Sequence, residues 1–141
     1  MKKQKKWVQP AVTEKRFEIG FHLLNQWLCM RQNEKTLLPF FEDNFIESVA
    51  IYGMGALGER LYDELQGSPV TVRYAIDRMA ASKKKDGLKI YSADADSLPE
   101  TDAVVVTPVQ DYAAIMEFLE MKTDAAILSL KDIIEYCMSG D

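Results

Sequence analysis

The sequence predicts an α/β three-layer sandwich on a mainly parallel five-stranded sheet, preceded by an N-terminal helical segment. Three observations carry that expectation. From residue 46 onward, short β-branched runs alternate with stretches of helical periodicity, the pattern of strand–helix–strand units rather than hairpins. Ala103-Val-Val-Val106 is continuously apolar, as in a strand buried on both faces. Three of the seven glycines, Gly53, Gly55 and Gly58, lie within six residues between a strand-like run and a helix-like one.

Taken in order, residues 1–13 read as a tail, and a helix is expected from Thr13 or Glu14 to about Asn33. Its apolar positions Phe17, Phe21, Leu24 and Trp27 or Leu28 step every three to four residues. A shorter helix follows over Lys35–Glu42, with Pro39 early in it. Residues 1–45 thus form a helical extension to a domain over 46–141. The extension is rich in aromatic residues (Phe17, Phe21, Trp27, Phe40, Phe41, Phe45). It is expected to cap the sheet edge or one face, because an exposed patch so apolar is a solubility liability. The alternative use is a surface for a homodimer or a partner protein.

Strands are expected at 48–52, 70–76, 88–91, 103–107 and 125–128. The helix over 56–66 carries Leu57, Leu61 and Leu65 on one face, with Arg60 and Glu64 as an i,i+4 pair elsewhere. Gly67-Ser-Pro69 breaks it from the second strand. Met79–Lys85 has room for one or two turns, and Ser92–Thr101 reads as a polar loop holding one more. Helices over Asp111–Met121 and Leu130–Cys137 complete the alternation.

The glycine cluster has the order of a dinucleotide-binding fingerprint: strand, glycine-punctuated turn, helix, second strand, acidic tip. Gly53 would turn the chain sharply off the first strand. Gly55 would let a pyrophosphate lie against the backbone, and Gly58 would let the helix pack close to the strands. Met54, Ala56 and Leu57 complete the loop and first helical turn, whose N–H groups and dipole favour phosphate. Asp77 lies nineteen residues after Gly58, near the roughly twenty-residue offset at which a carboxylate reaches a ribose. It favours NAD over NADP, although the adjacent Arg78 can accommodate a 2′-phosphate. Thr107 and Pro108 leave the fourth strand on the same side of the sheet. Thr107 and Gln110 are placed either to contact the adenine or second ribose, or simply to form the strand exit and next turn.

Composition bounds the function classes. The 141 residues are 48% hydrophobic and 28% charged, with a net charge of −5, which argues against general nucleic-acid binding. No apolar run approaches the roughly 18 residues of a membrane span, and a cytoplasmic location is expected. Lys2–Lys6 and Lys83–Lys85 read as solvated basic runs. Cys29 and Cys137 read as reduced, buried or half-buried small apolar residues. With only His22 beside them they make no zinc site. His22 is expected to be structural. No tyrosine has a lysine four positions on, and neither a G-x-S-x-G elbow nor a phosphate-binding P-loop occurs. No catalytic residue is assigned.

The segments Ile51-Tyr-Gly-Met-Gly-Ala-Leu-Gly58, Tyr74-Ala-Ile-Asp77, Lys85-Asp-Gly87 and Ala103-Val-Val-Val-Thr107 resemble small NAD(P)-binding Rossmann-like domains. Relatives in pattern occur in bacterial sugar-nucleotide and polysaccharide-biosynthesis proteins. The resemblance covers about residues 46–135 and implies that Gly53, Gly55, Gly58 and Asp77 bind a cofactor. It carries over no catalytic residue. The expected function is a nucleotide-binding module for NAD(H) or a related nucleotide-sugar. The alternatives are an oxidoreductase or epimerase completed by a partner, and an interaction-only or nucleotide-sensing domain. The nucleotide-gating domains of potassium channels share the glycine-then-aspartate pattern but differ between the second and fourth strands. S-adenosylmethionine methyltransferases usually carry an acidic residue before the glycines, where this chain has Tyr52.

Overall fold

A computed structural model describes residues 4–139, with side chains from Lys15 onward. The helices are α1 (Gln4–Gln32), α2 (Leu38–Asp43), α3 (Ala56–Leu65), α4 (Tyr112–Glu120) and α5 (Leu130–Ser139). The strands are β1 (Ser48–Tyr52), β2 (Thr71–Asp77), β3 (Ile90–Ser92), β4 (Ala103–Val106) and β5 (Ala126–Ser129). They form one sheet of order β3-β2-β1-β4-β5, and every neighbouring pair is parallel. This is the Rossmann-like arrangement. The chain winds to one side of β1 through β2 and β3, then returns to β4 on the other side. The topological switch point lies between β1 and β4.

The two faces are covered unequally. On one, α1, α2, α3 and α5 pack their buried residues (Trp27, Phe41, Leu61 and Ile133 among them) against Val49, Ile51 and Val105 of the sheet. On the other, Ala50, Tyr52, Tyr74 and Val104 meet α4 through Leu119 and the irregular 93–102 segment through Leu98. The segment joining β3 to β4 forms no helix. Consequently Ile115, Met116 and Phe118 of α4 are only half-buried.

Two sequence expectations for the extension need correction. The helix begins at Gln4, so most of the expected tail is helical. Once the stretch from Glu14 is helical, each added residue gains a hydrogen bond without a new nucleus. The expected apolar stripe is also only partly inward. Leu23, Trp27 and Met30 are buried, whereas Phe17 and Phe21 are 72% and 73% exposed. From Leu23 onward α1 caps one sheet face, and Phe17 and Phe21 stand outside that contact.

Glu64 fastens that cap. It does not pair with Arg60, which bonds Asp63 instead at 2.9 Å. Its carboxylate accepts from Trp27 Nε1 at 2.7 Å and from the Leu37 amide at 2.8 Å, with Arg31 3.7 Å away. One carboxylate of α3 therefore joins α1 to the start of α2.

Candidate functional site

The three glycines occupy three different environments. Gly53 has φ +94°, and a Cβ there would lie 2.7 Å from Thr107 Oγ1 and 2.9 Å from the Pro108 ring. Both conformation and space exclude a side chain. A Cβ on Gly58 would lie 2.0 Å from the Gly53 carbonyl oxygen, so α3 sits as close to the end of β1 as a helix can. Gly55 differs. It is the residue before the helix, with φ −86°, and a Cβ would meet nothing within 4 Å. Two glycines are closed by the protein itself, and the third opens outward.

The loop is held rigidly from two sides. The Asp77 carboxylate at the tip of β2 accepts the Met54 amide at 2.7 Å with one oxygen and the Met79 amide at 2.7 Å with the other. It is only 8% exposed. From β4, the Thr107 hydroxyl lies 3.0 Å from the Tyr52 carbonyl and 2.8 Å from that of Gly53. Thr107 and Asp77 were expected as ligand contacts; in the structure each supports the loop. Spacing cannot reveal this, because both partners lie about fifty or about twenty residues away in sequence.

Two clefts adjoin across the carboxyl ends of the strands. One, of about 630 Å³, lies at the switch point, with Gly53, Gly55, Ala56 and Leu57 on one wall and Thr107, Pro108 and Gln110 beside them. Its opposite wall is α1, through Phe17, Gly20, Phe21 and Leu24. The first-turn N–H groups of α3 have no carbonyl partner inside the helix, which suits an anion. The second cleft, of about 690 Å³, lies on the α4 side of the sheet and includes Tyr52, Arg78, Asp94, Ile115 and Phe118. Arg16 and Pro108 border both clefts. Arg16 reaches across to Asp111 with an N–O distance of 3.0 Å.

Of the expected site residues, the structure brings Gly53, Gly55, Ala56, Leu57, Asp77, Thr107 and Pro108 to the first cleft. Arg78 lies in the second. Met54 is buried beside the loop with its amide bound to Asp77, and Gly58 is internal. Sequence reasoning missed Tyr52. It is 5% exposed and borders the second cleft, and its hydroxyl has no hydrogen-bond partner among the described residues. Burial pushes the Tyr52 phenol up, partly offset by the Arg78 guanidinium. Its place immediately before Gly53, at the end of a strand, was the available signal.

His22 is exposed on α1. Cys29 is exposed as well, contrary to expectation, because it lies on the outer side of α1, while Cys137 is buried. Among the described residues no cluster of metal ligands occurs, and no helix is long and apolar enough to cross a membrane. No family model matches this chain, and no curated protein or solved structure matches it significantly.

Proposed function

We propose that this chain is a nucleotide-binding module that holds NAD(H) or a related diphosphate nucleotide across the carboxyl ends of its sheet, without a complete catalytic site of its own. The observation that carries the reading is the contrast among the glycines. Steric closure explains Gly53 and Gly58, but nothing within the protein requires glycine at position 55. A diphosphate lying against that backbone, at the first turn of α3, supplies the reason.

On this reading the adenosine half occupies the α4-side cleft. Ile115 and Phe118 offer apolar surface there, Arg78 a planar cation, and Tyr52 an unpaired hydroxyl. Asp77 has a double role. Its two oxygens fix the loop, and a carboxylate has about four lone-pair sites, so some acceptor capacity remains for a ribose hydroxyl. Its negative charge disfavours a 2′-phosphate, which makes NAD the expected ligand and NADP the weaker one.

The test is calorimetric titration with NAD, NADH, NADP, ADP-ribose, UDP-glucose and S-adenosylmethionine, repeated on Gly55→Val. Wild type is expected to bind adenine diphosphates. The variant, folded but with a side chain in the open space, is expected to lose them. Silence across the panel at millimolar ligand sinks the proposal.

A further inference from the structure

We propose that the middle of α1, from Arg16 to Leu24, is the second wall of the nucleotide site, and that this wall selects a diphosphate ligand whose far end is a flat ring rather than a sugar. The inference rests on the reading of the glycine loop as a diphosphate site and goes beyond it by naming what lies past the phosphates.

The starting point is an unexplained cost. Phe17 and Phe21 leave nearly three-quarters of their surface in water, which soluble proteins generally avoid for paired aromatic residues. They are not scattered. They stand one helical turn apart on the side of α1 that faces the glycine loop, and both border the 630 Å³ cleft. Between them, Gly20 has nothing within 4 Å of where its Cβ would be, so no side chain stands between the two positions. Leu57 and Pro108 line the same cleft. The Arg16–Asp111 ion pair links this part of α1 to the approach of α4.

The polar groups decide what fits. A hexose linked directly to the diphosphate would need partners for more hydroxyls than the one ribose that precedes the ring in NAD(H). Of the polar side chains bordering the cleft, Arg16 is paired with Asp111, and the Asp77 carboxylate and Thr107 hydroxyl already serve the backbone, leaving only their spare lone pairs. Together with Gln110 these suit one ribose rather than a hexose. Hydroxyls buried without partners weaken binding, whereas a flat heteroaromatic ring needs only apolar faces and one polar edge contact. The cleft offers that combination.

The experiment measures NADH, ADP-ribose and ADP-glucose binding by calorimetry, and NADH emission, in wild type and in the double variant Phe17→Ser/Phe21→Ser. Wild type should hold NADH about tenfold more tightly than ADP-ribose or ADP-glucose, the scale of one base–aromatic stacking contact. The emission of bound NADH should be enhanced. The double variant should lose that preference and that emission change while keeping its ADP-ribose affinity, which also shows that it is folded. Equal NADH and ADP-glucose affinities in wild type overturn the proposal, as does equal loss of all three ligands in the variant. A dimer that the substitutions dissolve without altering ligand preference would assign the face to self-association instead and overturn it too. Absence of binding by all three overturns the diphosphate reading itself.

Discussion

Gly58→Ala is the sharpest test of how this loop is built. The added Cβ would lie 2.0 Å from the Gly53 carbonyl oxygen and 3.0 Å from its carbon. Both are backbone atoms, and Gly53 is itself fixed by the Thr107 hydroxyl and by the hydrogen bond that its N–H donates to the Ile76 carbonyl at 2.8 Å. Neither neighbour can move by rotating a side chain. Overpacking of a tight site costs about 1–3 kcal/mol, and an immovable contact belongs at the top of that range. Replacing glycine by alanine in a helix returns about 0.5–1 kcal/mol. The net expectation is a loss of about 2 kcal/mol. For a domain of this size that lowers Tm by about 6 °C. Urea unfolding followed by tryptophan fluorescence, with thermal unfolding by circular dichroism, measures both. The paired control is Gly55→Ala, where the Cβ enters open space and stability should fall by less than about 1 kcal/mol. If Gly58→Ala unfolds within a degree of wild type, α3 is not seated on the end of β1 as described.

Asp77→Asn should destabilise the ligand-free protein by about 1–3 kcal/mol, because an amide cannot accept from both Met54 and Met79 and one buried N–H loses its partner. Unchanged thermal unfolding would refute the loop-fastening role. Tyr52→Phe, by contrast, removes a hydroxyl that bonds nothing, so stability should stay within about 0.5 kcal/mol while nucleotide affinity falls; unaltered affinity would remove Tyr52 from the site. Glu64→Ala should cost about 1–3 kcal/mol and alter tryptophan emission, since it strips acceptors from Trp27 and Leu37. Burial pushes the Cys137 thiol up. Thiolate is the reactive form, so iodoacetamide near pH 8 should modify the exposed Cys29 first, with Cys137 following only at higher pH or on unfolding. Equal rates counted by mass spectrometry would contradict the buried position.

Much of the fold was legible because its signals are local. β4 advertised burial on both faces through unbroken valines, and the spacing of Gly53, Gly55 and Gly58 matched the roles of sharp turn, open approach and close packing. What was not legible depends on partners brought together by folding. Glu64 looked like half of a surface pair with Arg60, yet the arrival of α1 and α2 turns it inward. Thr107 and Asp77 read as ligand contacts because their positions beside the loop can be inferred, whereas their hydrogen bonds to it cannot. Helical periodicity identified an apolar stripe on α1, but a stripe does not say where its partner ends. It buries Trp27 and leaves Phe17 outside.

The dependence of the N-terminal extension on Glu64 also bears on the order in which the protein assembles. Residues 4–43 emerge from the ribosome before the groups that fasten them: Glu64 for Trp27 and Leu37, Tyr136 for Asp43, and the Met138 carbonyl for Lys35, 103 residues downstream. At the synthesis rates of cells, about 5–20 residues per second, the extension waits several seconds with its aromatic residues uncovered.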